Sequence, residues 1–284
     1  MLGLELQMVG DKLSNDEFDG LPDPKKFVDE ALEALREAWM RHLSPSQEKG
    51  FRLRMSNVGK PLCQLQMAAS GATPKRKPYN FKAQMMIGDA VEAIMNIYLG
   101  LASVNMTGCN DEVELEVDGT TIKGTYDVEI ENKIYDVKSC SPWAFDNKWS
   151  YGYEGLRDSD DFGYIGQLTG YANAKGKDVG GWLVMNKSDG RMEVVEADIT
   201  ENEKKANLFG IQFNVTAVKD NHPFKRKFEP IVDTFRGKRT GLKRLCKTCE
   251  FCDYMSSCWP SAKYMAHPKS EAKKPPMHWF VEDE

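Results

Sequence analysis

Histidine is scarce in this chain. None of the four, His42, His222, His267 and His278, stands in a pattern with a serine and an acid. A Ser–His–Asp hydrolase is therefore not read from it. It has no Gly-x-x-x-x-Gly-Lys loop to cradle a nucleoside triphosphate, which excludes a helicase motor. It has no apolar run long enough for a membrane span and no basic start followed by an apolar segment. The expected compartment is the reducing cytoplasm. No internal repeat is apparent. Positive charge is also in short supply: the formal net charge is −5 over 284 residues. Hydrophobic content of 41% and charged content of 29% suit a soluble globular protein with a sizeable core.

The charge is unevenly spread. Between Arg52 and Lys82 there are seven Lys or Arg and no Asp or Glu, and between Lys219 and Lys247 ten basic residues face three acidic ones. Two such segments can attract phosphates and release counterions, so a nucleic-acid partner is expected despite the net sign.

The segment Gly124-Thr-Tyr-Asp127, followed by Tyr135-Asp136-Val137-Lys138, carries the chemistry. It reads as a hairpin. Asp136 and Lys138 are two apart and leave the same face of a strand, while Val137 turns into a core. Asp127 approaches from the preceding strand. Two carboxylates can hold a hard divalent cation, and an ammonium beside them can position or help deprotonate a water. Alone, an Asp-x-Lys triplet is ordinarily a solvated face; the order of its neighbours adds weight. Upstream, Phe81 to Leu101 reads as a helix with Met85, Val91, Ile94, Met95 and Tyr98 as its apolar stripe. Gly88 and Glu92 lie one turn apart beside that stripe. Downstream, Phe162 to Ala174 reads as helical, with Gln167 and Tyr171 on one face.

The flanks are less telling. Residues 1 to 22 read as irregular and polar. A helix starts at Asp23-Pro24 and shows an apolar face of Phe27, Val28, Ala31, Leu35, Ala38 and Trp39. Residues 68 to 80 read as a mobile basic loop. Strands are expected at 113–117, 121–130, 134–138, 182–186 and 192–195, with turns at Asp118-Gly119 and Ser188-Asp189-Gly190. Helices on both sequence sides of these strands make a mixed sheet with helices, an α/β fold. The acidic run of Asp158, Asp160 and Asp161 reads as a solvated loop rather than an extra cation site. The tail from Pro268 is expected to be weakly ordered, although Trp279 and Phe280 could dock onto the body.

Four of the seven cysteines fall in Cys246-x-x-Cys249-x-x-Cys252-x5-Cys258. In a reducing compartment such clustering points to metal rather than disulfides. Zinc sites generally pair two distant Cys-x-x-Cys knuckles, whereas closely strung runs occur at iron–sulfur centres, and both stay open from spacing alone. Cys109 and Cys140 read as ordinary small residues.

Gly88-x-x-x-Glu92, Gly124-x-x-Asp127, Asp136-x-Lys138 and Gln167-x-x-x-Tyr171, in that order, resemble the RecB-like branch of the PD-(D/E)xK nuclease superfamily over about residues 52 to 260. Many relatives carry histidine where this chain has Glu92. The resemblance implies a restriction-endonuclease-like core in which Glu92, Asp127, Asp136 and the Val137 carbonyl hold Mg²⁺ or Mn²⁺. Lys138 would orient the attacking water, and Gln167 and Tyr171 would position the substrate strand. One subgroup, which includes AddB-type helicase–nucleases and the exonucleases of CRISPR adaptation, holds a 4Fe–4S cluster with one cysteine before the core and three after it. Cys63, Cys249, Cys252 and Cys258 match that pattern and leave Cys246 spare. The rivals are a site built from Cys246, Cys249, Cys252 and Cys258, and zinc in place of iron.

The implied organisation is an N-terminal helical extension over 1–50, a nuclease core over 51–245, a cysteine cluster over 246–260 joined by Cys63, and a tail over 261–284. The expected function is metal-dependent DNA exonuclease activity on single- or double-stranded ends in recombination, repair or phage DNA processing. A recombination or replication protein is a conceivable partner. If the chain is phage-encoded, its compartment is the host cytoplasm. The alternatives are a non-catalytic DNA-binding or recombination scaffold and a structure-specific endonuclease. Polarity, strand preference and oligomeric state are not legible.

Overall fold

The computed structural model describes residues 1–45, 50–158, 160 and 162–282. Its centre is a five-stranded mixed sheet. The strand order is β1 (Met106–Cys109), β4 (Val128–Ile130), β5 (Lys133–Cys140), β6 (Asp178–Asn186) and β7 (Met192–Glu196). β5 and β6 run parallel, with Asp136 beside Trp182 and Lys138 beside Val184; the other neighbours are antiparallel. Trp182, Leu183 and Val184 of β6 are fully buried, as a central strand covered on both faces requires. β2 (Glu112–Val117) and β3 (Thr120–Thr125) form a separate hairpin.

Helices cover both faces. On one, Val91, Met95 and Leu99 of α5 (Phe81–Leu101) pack with Tyr135, Leu183 and Met185. Leu2 and Leu6 of α1 (Leu2–Ser14) join that core. α2 (Pro24–Leu43) starts with Asp23 capping the Lys25 N–H and lies against α5, where the Trp39 indole donates to the Met86 carbonyl at 3.1 Å. The other face is reached through the crossover from β5 to β6. It passes through α6 (Pro142–Asn147), α7 (Gly152–Arg157) and α8 (Tyr164–Lys175). Leu168, Tyr171 and Ala172 of α8 meet Ile134, Trp182 and Val184, and α9 (Glu201–Lys219) adds Ile211 and Val215. The short α3 (Met55–Val58) is buried beside α8, and α4 (Leu62–Ala69) carries Cys63.

Beyond α9, β8 (Ile231–Phe235), β9 (Lys238–Arg244), β10 (Lys263–Ala266) and β11 (Met277–Val281) make an antiparallel sheet ordered β10-β11-β9-β8. Buried Asp233 anchors it. Its carboxylate accepts from Thr240 at 2.6 Å and lies 3.2 Å from Arg244 and 2.9 Å from His267 Nε2. His267 Nδ1 accepts the Lys269 N–H, which leaves Nε2 to carry the proton toward Asp233. α10 (Lys247–Phe251) and α11 (Met255–Cys258) pack a third core of Leu245, Met255, Trp259 and Val281 around Cys249, Cys252 and Cys258.

The mixed sheet flanked by helices is the expected class. Several elements differ from expectation. Residues 2–14 are helical rather than irregular, because Leu2, Leu6 and Val9 supply a narrow apolar stripe that finds cover on the sheet. The strand expected over 121–130 is broken at Tyr126-Asp127 into β3 and β4, which belong to different sheets. The tail from Pro268 ends in β11, with Phe280 and Val281 buried. The basic loop is tied down: the Lys75 N–H donates to the Asp253 carbonyl at 2.7 Å, and the Lys77 ammonium pairs with its carboxylate at 2.6 Å. In the acidic run, Asp160 caps α8 and Asp161 lies outside the described residues.

Candidate functional site

The β4–β5 turn sets the register of the site. Glu131 and Asn132 both have positive φ, 48° and 69°, the two-residue turn that matches strand twist. Val128 then stands opposite Tyr135, and Asp127, just before β4, reaches the next stretch of β5. The Asp127 carboxylate accepts the Val137 N–H at 2.6 Å. On β5, Tyr135 and Val137 belong to the α5 side and Ile134 to the α8 side. Asp136 and Lys138 share the face of Ile134, and their side chains form an ion pair. The Lys138 ammonium also lies 5.2 Å from the Tyr164 ring centre.

Glu92 comes from α5. Burial first, then the nearby Asp89 and Asp136 charges, raise its pKa, against a hydrogen bond with Asn110. Burial also raises Asp127 well above the carboxylate range, reinforced by Asp136 and Glu92. Burial alone would lower the Lys138 ammonium. The carboxylates of Asp136 and Asp127 outweigh it and hold the pKa above its ordinary value, so Lys138 is a fixed positive charge rather than a base. The groups from α5, β5 and the β3–β4 break thus face one another electrostatically. They do not yet close on one point: among the described residues, no group of three or more His, Cys, Asp or Glu stands in metal-holding geometry. Lys138 occupies the Asp136 carboxylate, and the Val137 N–H occupies that of Asp127.

Gln167 and Tyr171 share a face of α8, and the Gln167 amide donates to the Tyr171 hydroxyl at 3.5 Å. Burial pushes the Tyr171 phenol up to about 12. Gly124 has a steric reason. A Cβ there would stand 2.4 Å from Met55 Cβ and 2.7 Å from Tyr171 Cε1, so only glycine lets the β2–β3 hairpin approach α8. Gly88 has no such constraint, its nearest neighbour being Ser139 Oγ at 3.8 Å. Sequence reading passed over Tyr164, Asn110, Asp89 and Lys148. Tyr164 had a signal, since 164, 167 and 171 fall at helical spacing on one face.

A small cavity between α4, α10 and α11 is lined by Cys63, Cys249, Cys252 and Cys258, with Met67, Phe228 and Trp259 among the apolar walls. Cys246 is not among its lining residues, although its thiol interacts with that of Cys249. Burial raises the Cys249, Cys252 and Cys258 thiols, and all three feel Cys63. Nearby, Arg226 donates to the Cys258 carbonyl at 2.9 Å and stacks 3.9 Å over Trp259.

No family profile matches this chain, and no curated protein matches it. Among solved structures it is similar to the protein SSO0001, at 14% identity and a TM-score of 0.41 over 80% of this chain and 94% of that one. It is also similar to the Eubacterium rectale protein named "Putative exonuclease", at 16% identity and a TM-score of 0.28 over 72% and 76%. Likeness at this level carries no assignment.

Proposed function

We propose that the chain is a divalent-metal-dependent deoxyribonuclease, acting as an exonuclease, of the RecB-like PD-(D/E)xK type. One observation carries the reading. Asp136 and Lys138 pair, the Asp127 carboxylate accepts the Val137 N–H between them, and the charges of Asp136 and Lys138 bear on buried Glu92 and Asp127. The donor set fits a hard cation, because three carboxylates against one ammonium leave buried negative charge that a divalent ion would offset. Glu92, Asp127, Asp136 and the Val137 carbonyl would hold it. When bound, Mg²⁺ or Mn²⁺ would supply Lewis-acid charge to the phosphodiester and the attacking water.

The protein's own groups do the rest. Lys138, held protonated by the carboxylates beside it, would stabilise charge that develops on the phosphate. The Tyr164 ring holds that ammonium in place. Gln167 and Tyr171, locked together on α8, orient the strand. Cys63, Cys249, Cys252 and Cys258 suit a 4Fe–4S cluster: four thiols line one apolar cavity, and cluster binding would release their protons. The cluster would join α4 to α10 and α11 as a structural clamp.

The test is end-labelled linear DNA incubated with and without Mn²⁺. Label loss that requires the ion supports the reading, and none under any ion sinks it. Cutting of a closed circle would instead mean an endonuclease. The Lys138–Asp136 pair favours a second reading, a DNA-binding scaffold whose site stays shut. That reading expects DNA binding with no cutting in the same assay.

A further inference from the structure

Beside Lys138 a run of aromatic rings starts at Tyr164 and continues through rings that the reading above leaves unused. Tyr164 lies under the Lys138 ammonium. Phe162 stacks on Tyr164, with centroids 5.5 Å apart and planes 26° apart. Phe251 of α10 meets Phe162 at 6.3 Å. Lys148 stands 5.5 Å over Tyr164 and 5.9 Å over Phe162. Lys247, one helical turn before Phe251, stands 4.8 Å over Trp143. A satellite hydrophobic cluster would bury its rings, yet Phe162, Phe251 and Trp143 remain 44%, 62% and 63% exposed. Of the described acids here, Asp160 accepts the Tyr164 and Ile165 N–H groups, and Glu250 faces His278 at 3.7 Å.

Exposed rings interleaved with ammonium groups match one class of ligand. A single strand offers bases for the rings and phosphates for the lysines. A duplex hides the base faces, and a peptide has no repeating anion. We propose that Phe162 and Phe251, with Lys148, Trp143 and Lys247, form a base-stacking subsite for unpaired nucleotides leading to Lys138; Tyr164, which already stacks on Phe162 and on buried Trp149, backs it. This rests on the nuclease reading of Lys138 for its direction, and on the rings themselves for its chemistry. α10 belongs to the cysteine-bearing segment, so that segment contributes Phe251 and Lys247 to substrate selection as well as to structure.

The test uses the full chain in EDTA, with fluorescein-labelled oligothymidine and an abasic oligomer of equal length as probes. Stacking on two rings predicts about tenfold or greater preference for the base-bearing strand. The double change Phe162→Ala and Phe251→Ala should bring the two affinities nearly level without weakening abasic binding. Phe251→Leu, which keeps apolar bulk, should lower the preference, and Phe251→Trp should keep it. Equal binding of both probes by the intact protein, binding of neither, or an unchanged preference in the double variant overturns the subsite. Preference without Mn²⁺-dependent cutting would retain the subsite and remove the nuclease. Cutting without preference would do the reverse.

Discussion

Lys138 pairs with the Asp136 carboxylate and feels that of Asp127, and its charge is fixed by them. A fixed cation contributes most where negative charge grows during reaction. Lys138→Ala should therefore lower Mn²⁺-dependent cleavage by about 10²- to 10³-fold while DNA binding in EDTA changes little; equal losses in both would make it an anchor. Asp127 and Glu92 give a second handle. Their folded pKa values are raised, so the folded state holds their protons more tightly than the unfolded chain. Their stabilising contribution is complete below the ordinary carboxylate range and is lost as pH rises through the raised values. The melting temperature of the metal-free protein should fall across that window, and added Mn²⁺ should raise it most at the upper end. Asp127→Asn should flatten the fall in a thermal scan. Asp136 and Lys138 were legible as one face of a strand from their spacing. The Asn110 bond to Glu92 and the Tyr164 ring were not, because they depend on how α5 and α8 approach β5.

At the scale of elements, α8 is placed by small residues. Gly124 lets the β2–β3 hairpin close on Tyr171, so Gly124→Ala should cost about 1–3 kcal/mol in denaturant unfolding, since Met55 and Tyr171 must both move. The cysteine-bearing helices make a different prediction. Cys63 lines their cavity and Cys246 does not. If that cavity holds the proposed cluster, Cys252→Ala should abolish bound iron and its visible absorption, whereas Cys246→Ala should retain both. Iron lost in the Cys246 variant and kept in Cys63→Ala would install the rival ligand set, and colourless protein with stoichiometric zinc would replace iron altogether. α5 was readable end to end because its stripe is long and regular. α1 was hidden because Leu2, Leu4, Leu6 and Met8 alternate instead of following helical spacing and two glycines fall in the same stretch, and β3–β4 read as one strand because no Gly or Pro marks the break at Tyr126-Asp127.

Across the whole molecule, charge is sorted rather than balanced. Lys60, Lys225, Arg226 and Lys227 line a groove along α9, on a chain whose net charge is −5. If that groove carries the strand, the triple change Lys60→Ala, Lys225→Ala and Lys227→Ala should reduce the log–log salt slope of single-strand binding by about 2, read by titration at several ionic strengths. An unchanged slope would remove the groove from the path. No helix among the described residues is long and apolar enough to cross a membrane. The sequence by itself determined the α/β class, the helix bearing Glu92 and the shared face of Asp136 and Lys138, because periodicity and two-residue alternation are local properties of the backbone. Only the tertiary structure decided that the Asp127 carboxylate accepts the Val137 N–H beside Asp136, and that Cys63 lines one cavity with cysteines nearly two hundred positions away. It also decided that Lys138 at present closes the site it would serve. Those are long-range distances, and they are set by packing that no single segment encodes.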